Sequence, residues 1–184
     1  MCGDPMLSRA DEALAAAYKR ALDALSEDGR EALRRGQRQW LSFTPTVCWI
    51  GGNPPGGQSR RDCLRDQYAQ RQKQVDAAVI RRGGLVMRRV DSFSAATSYL
   101  PETAVFPFNK TTVSFPQIDQ PRDASEEAWN KLIAEHEHEG KALASASATA
   151  SDSADDDFDL SVDYELGSVS PGMISLWLYI EDFI

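Results

Sequence analysis

Gly83-Gly84-Leu85-Val86-Met87-Arg88-Arg89-Val90 is the stretch at which the chain changes its period. Upstream of it, apolar residues recur three and four apart, as on the packed face of a helix. Downstream they come in short runs rich in β-branched and aromatic residues, punctuated by prolines, as strands do. The glycine pair reads as the stop of a helix that starts near Arg61 and carries Leu64, Tyr68, Val75 and Val79. The fold class that follows is α+β. A three-helix unit clamped by cysteines is expected over residues 1–83, followed over residues 84–184 by a small α+β domain with a mainly antiparallel sheet and one helix.

Working back from the switch, a Gly/Pro loop, Gly51-Gly-Asn-Pro-Pro-Gly-Gly57, precedes that third helix. The second helix carries Leu33, Trp40 and Leu41; Asp28 and Glu31 resemble a capping box at its start, and Pro45 is expected to end it. The first opens at Asp4-Pro5, a cap followed by proline at the first helical position, and carries Ala10, Leu14, Ala17, Tyr18, Ala21, Leu22 and Leu25. Cys2 directly behind Met1, with no basic-then-apolar leader, leads us to expect a processed N-terminus.

Forward from the switch, residues 85–90, 93–100 and 111–115 read as strands. Asp123 and Glu126 form a capping-box pattern ahead of a helix expected over 124–138, with Ala128, Trp129, Leu132 and Ile133 on one face. Residues 141–157, dominated by Ala, Ser and Asp, read as a mobile loop. Phe158-Asp-Leu-Ser-Val-Asp-Tyr-Glu-Leu166 alternates like a half-buried strand, Pro171-Gly172 reads as a turn, and residues 173–184 read as a more buried strand. With no polar tail or cap there, the native protein is expected to continue past Ile184.

Charge is divided as sharply as periodicity. Residues 1–90 carry 16 Lys/Arg and 10 Asp/Glu, a balance of +6, whereas residues 91–184 carry 4 and 18, a balance of −14. The second half therefore repels nucleic acid and attracts basic partners, unless its charge serves solubility alone. No run approaches the roughly 20 apolar residues of a membrane span.

Catalytic chemistry finds little support. His136 and His138 lie two apart, on different faces of a helix, and no Ser-His-Asp or Cys-His arrangement is legible. Asp155, Asp156 and Asp157, with Asp152 and Asp159, lack the alternation and turn glycine of a calcium loop and read as a solvated acidic segment, a candidate surface for a basic partner. The paired glycines at 51–52 and 56–57 lack the lysine of a phosphate loop. No catalytic residue, cofactor or metal site is expected. Trp49-Ile50, at the mouth of the Gly/Pro loop, suits insertion into a partner's cleft; the alternative is that Trp49 packs back onto the helices.

Three cysteines, with no Cys-x-x-Cys pair, are too few for a disulfide scaffold or a zinc site. A Cys48–Cys63 bridge would close a loop of roughly 15 residues, stabilise by about 3 kcal/mol, and place the protein outside the cytoplasm. Three reduced thiols in a cytosolic protein is the alternative.

Taken together, Cys2, Asp4, Pro5, Leu7, Leu14, Tyr18, Gln37, Trp40, Leu41, Cys48, Cys63, Leu64 and Arg71 resemble, in order and spacing, the LprI-like lysozyme inhibitors, over residues 2 to about 80. The chain departs from that pattern at Thr44-Pro45, where the family usually has Arg-Asp. The second half, through Thr112-Val-Ser-Phe-Pro-Gln-Ile118, Trp129-Asn130, residues 158–166 and Met173-Ile-Ser-Leu-Trp-Leu-Tyr179, is similar to the α+β domain of RsiV-type anti-sigma factors and of some peptidoglycan deacetylases. The resemblances imply a periplasmic or secreted cell-envelope protein, lipid-anchored in one version. It would bind a basic c-type lysozyme and inhibit it by occluding the active-site cleft, without chemistry of its own. The other implication is a peptidoglycan-binding or accessory module of an envelope enzyme such as a deacetylase.

Overall fold

In the computed structural model, which describes residues 4–48, 59–97, 108–150, 158–170 and 173–183, three helices precede a five-stranded sheet, and a fourth helix links the third and fourth strands. The expected α+β class is the one the chain adopts.

The first helix, α1, spans Pro5–Ala24 and starts where the sequence signals. Asp4 Oδ1 accepts from the Met6 N–H at 2.8 Å, and Pro5 occupies a position whose N–H would be orphaned anyway. The second helix, α2, spans Glu27–Val47, and its cap corrects the expected Asp28/Glu31 box. Ser26 is the cap, its hydroxyl accepting from the Gly29 N–H at 3.1 Å, while Asp28 lies in the first turn, where negative charge suits the helix dipole. Pro45 does not end α2 but lies inside its last turn. The helix closes three residues later, where the Cys48 N–H donates to the Thr44 carbonyl at 3.0 Å.

The third helix, α3, spans Arg60–Asp76 and stops short of Val79. Val79–Arg82 instead forms β1, paired antiparallel with β2, Leu85–Thr97. Gly83 and Gly84 have φ of +56° and +77°, the left-handed pair that a two-residue hairpin turn demands. A Gly-Gly pair serves equally as helix stop and hairpin turn, and strand pairing decides between them. Cys48 and Cys63 are joined by a disulfide that ties the end of α2 to the start of α3. Trp40 meets the Tyr68 ring edge-on at 5.1 Å, and Leu14, Ala17, Leu33 and Val75 complete the helical core.

The sheet continues with β3 (Phe108–Ile118), β4 (Phe158–Ser170) and β5 (Met173–Phe183), in the order β1-β2-β3-β4-β5. Neighbours are antiparallel except β3 and β4, which run parallel because α4 (Ala124–Ala150) carries the chain back between them. Val113, Phe115, Leu160 and Val162 pack with Ile133 of α4. Phe93 of β2 belongs instead to the helical core, its ring centre 5.5 Å from that of Phe43 and tilted 54° to it. A Cβ at Gly36 of α2 would stand 3.0 Å from the Asp91 carbonyl, so a larger residue there would have to push α2 and β2 apart by a few tenths of an ångström. At the other end of α2, Asp119 accepts from the backbone N–H and the hydroxyl of Ser26, each at 2.8 Å.

Three further expectations are corrected. The two strands expected at 85–90 and 93–100 form one strand, β2, as far as Thr97, and residues 98–100 lie outside the described residues. Residues 141–150, expected to be loop, continue α4, because alanine is the strongest helix former and the segment is rich in it; the rest of that stretch, 151–157, lies outside the described residues. The last strand is an exposed sheet edge rather than a buried strand: Trp177, Leu178, Tyr179 and Ile180 all present large apolar surface to solvent. An apolar run reports what a strand carries, not what covers it.

Candidate functional site

Residues from the sequence patterns converge on one side chain. Arg71 of α3 is fully buried. Its Nε donates to Gln37 Oε1 at 3.0 Å, and its Nη1 donates to Asp91 Oδ2 at 2.6 Å and Gln74 Oε1 at 3.2 Å. The guanidinium lies 5.0 Å from the centre of the Phe93 ring. The other Asp91 oxygen accepts from Arg89 Nε at 2.6 Å and from the Ser114 hydroxyl at 2.8 Å. Arg89 then reaches Asp163 on β4, with Nη1 3.0 Å from Oδ1. A charge relay thus runs from the helices, through the sheet, to a half-exposed carboxylate.

Burial alone would push the Asp91 carboxyl up, but Arg89 and Arg71, with the Ser114 hydroxyl, overcome that and hold it below its ordinary value. Burial likewise works to lower Arg89, yet Asp91 and Asp163 hold it above the usual arginine range. Arg89 and Asp91 therefore stay charged, and Arg71, which burial lowers against the pull of Asp91, stays charged as well because a guanidinium starts so far above neutral pH.

Beside the network, a cleft of about 180 Å3 separates α3 from the sheet. Gln67, Gln70 and Gln74 supply one wall; Lys110, Thr112 and Ser161 supply the other. Lys110 is paired with Asp159 at its floor.

From the cleft a strip of acids and aromatics runs outward along β4 and β5. Asp159, Ser161, Asp163 and Glu165 alternate with Leu160, Val162, Tyr164 and Leu166, so the acids share one face while the apolar set turns to the other. In register on β5, Glu181 stands opposite Ser161, Tyr179 opposite Asp163, and Trp177 opposite Glu165. Tyr179 Oη donates to Glu165 Oε2 at 2.7 Å, which fixes the ring and raises the phenol's pKa. Trp177 lies over Gly167: a Cβ there would intrude on the indole, and would come within 2.6 Å of Ser175 Oγ. The ring is seated on one side and 54% exposed overall. Carboxylates flanking anchored aromatic rings are suited to gripping lysine and arginine side chains.

Of the residues singled out in the sequence, Cys48 and Cys63 are brought together. Trp49, Ile50, Asp155, Asp156 and Asp157 lie outside the described residues. His136 and His138 lie on the exposed side of α4. Asp163, Glu165, Trp177 and Tyr179 were missed as a group; the signal was the alternation within residues 158–166, legible as a strand but silent about which strand would lie beside its acidic face. Among the described residues, no cluster of three or more His, Cys, Asp or Glu is placed to hold a metal, and no helix is long and apolar enough to cross a membrane.

Residues 1–75 match the family model described as Lysozyme inhibitor LprI. The matched segment takes in α1 and α2 whole and ends in the last turn of α3. It therefore includes Gln37, the bridged cysteines and Arg71. No curated protein and no solved structure matches the chain.

Proposed function

We propose that this protein binds a basic c-type lysozyme and inhibits it by occluding the active-site cleft, acting outside the cytoplasm. The observation that carries this reading is the lysozyme-inhibitor match over the helical unit. The acidic and aromatic strip on β4 and β5 supports it independently, because its carboxylates complement a basic partner and its seated Trp177 supplies a desolvating anchor. The Cys48–Cys63 bridge supports an oxidising compartment. Trp49 and Ile50, within the loop that the bridge closes, and Asp155, Asp156 and Asp157 are the further residues we assign to the partner. The helical unit, residues 1–83, and the sheet-bearing part, residues 84–184, are proposed as two domains that share this task, and no chemical step is assigned to either.

The cleft lined by glutamines and hydroxyls favours one other reading, a peptidoglycan-binding or accessory module of an envelope enzyme such as a deacetylase. Calorimetric titration against a basic c-type lysozyme at low and at physiological salt, paired with a lysis assay, separates the two. Binding at both salts with dose-dependent inhibition is the expected result. Binding confined to low salt would reduce the interaction to charge attraction, and retention on peptidoglycan without lysozyme binding would favour the glycan module.

A further inference from the structure

The two edges of the sheet are built differently. The β1 edge is four residues long, Val79-Ile-Arg-Arg82, and carries Arg81 and Arg82, both exposed, with Arg82 Nη1 donating to the Leu166 carbonyl at 2.7 Å. Short, cationic edges of this kind resist pairing with other strands. The β5 edge is 11 residues, Met173-Ile-Ser-Leu-Trp-Leu-Tyr-Ile-Glu-Asp-Phe183, without proline and with eight successive uncharged positions before its first acid. It pairs with β4 on one side only, and among the described residues no strand occupies the other. Ile180 is 66% exposed, more than any other large apolar side chain in the described residues. A long, apolar, unpaired edge is a template for strand addition.

We infer that β5 is the interface of a symmetric dimer, in which two copies of this chain join their sheets edge to edge, antiparallel, in a register centred on Leu178. That register follows from the strand itself. With Leu178 opposite its symmetry mate, Trp177 falls opposite Tyr179 and Leu176 opposite Ile180, so aromatic meets aromatic on one face and aliphatic meets aliphatic on the other. The acids do not meet: Glu181 falls opposite Ser175, and Asp182 opposite Ile174. Parallel addition in register would instead stack Glu181 on Glu181 and Asp182 on Asp182, which like charge disfavours. A slip of one residue would set Trp177 and Tyr179 against aliphatic neighbours on the wrong face.

The pairing also closes. The two-fold consumes the β5 edge of both copies, so this interface by itself builds nothing larger than a dimer. Edge pairing lies in the plane of the sheet and leaves its faces open. The acidic strip of one copy then continues into that of the other across the two-fold. The dimer is thus independent of the lysozyme reading, and it is measured without lysozyme present.

Sedimentation velocity of the purified chain across a concentration series tests it, together with two variants. The expected result is a monomer–dimer equilibrium. Leu178→Lys, which sets two ammonium groups against each other at the two-fold but replaces an already half-exposed side chain in the monomer, is expected to weaken dimerisation at least tenfold while leaving the far-ultraviolet circular dichroism unchanged. Leu178→Cys in a Cys2→Ser background is expected to cross-link under mild oxidation into a covalent dimer, since directly opposed residues of antiparallel strands lie within disulfide reach. A wild-type chain that stays monomeric at high micromolar concentration, a folded Leu178→Lys variant that dimerises as before, or growth past the dimer would each overturn the proposal.

Discussion

Arg71 Nη1 on α3 and Asp91 Oδ2 on β2 lie 2.6 Å apart, with both side chains almost entirely removed from solvent. This ion pair is where the helical unit meets the sheet. Two desolvated charges are tolerable only together, so removing one member costs far more than the pair is worth. Asp91→Asn would leave Arg71 and Arg89 without their shared counter-charge, and a loss of about 3–5 kcal/mol in unfolding free energy is expected from urea melts. The double change Arg71→Met with Asp91→Leu should cost measurably less than Asp91→Asn alone. Equal costs would mean that the charges are not coupled.

Acid should find the same carboxylate. Asp91 holds its charge in the folded protein to a lower pH than it does unfolded, where an aspartate titrates near about 3.9. Its contribution is therefore complete above that value and is lost as pH falls toward the depressed folded value. Asp4, held low because its helix-capping bonds and the nearby Arg65 and Arg61 outweigh the effect of burial, acts in the same direction. The urea midpoint of the wild type is expected to fall steeply below about pH 4. The midpoint of Asp91→Asn should start lower and fall less over that window. Parallel curves would exclude Asp91 as a source of the acid limb.

The sequence disclosed elements more readily than relations between them. The Asp4-Pro5 start is local chemistry and was legible, as was the alternation of β4, since each depends only on neighbours along the chain. Gly83-Gly84 was ambiguous because the choice between helix stop and hairpin turn is made by the pairing of Val79 with Arg88. The acidic strip depends on β5 folding back so that Trp177 stands beside Glu165. Arg71 was noticeable only by its place in a family pattern; its partner Asp91 lies 20 residues away across the helix-to-sheet switch, where no helical or strand period connects them.

The disulfide gives an independent handle on the helical unit. Cys48 and Cys63 are separated by 15 positions, and closing a loop of that length restricts the unfolded chain by about 3 kcal/mol. Replacing both cysteines by alanine is expected to lower the unfolding free energy by about that amount, with the circular dichroism of α1 to α3 retained. Because both sulfurs are buried, the bridge should also resist mild reductant until the protein is partly unfolded. Reduction at equal rates in native buffer and in urea would argue against its enclosure.

Gly167 and Trp177 provide the sharpest test of where a basic partner is held. The indole rests on the glycine, and Ser175 Oγ, which accepts from the Ser168 N–H at 2.6 Å, closes the other side of the seat. Gly167→Ala adds a methyl group where the ring now lies, so Trp177 must swing away while the surrounding backbone pairing persists. Trp177→Ala removes the anchor outright and should cost more than about 1 kcal/mol of lysozyme affinity, as truncation of an interface anchor does. Gly167→Ala should lose a comparable amount without deleting any contact atom, and should change the indole fluorescence of the free protein. Glu165→Gln should act differently, slowing association and flattening its salt dependence more than it speeds dissociation. If lysozyme binding survives all three substitutions unchanged, the strip is not the interface, and the segment between the bridged cysteines becomes the surface to probe next.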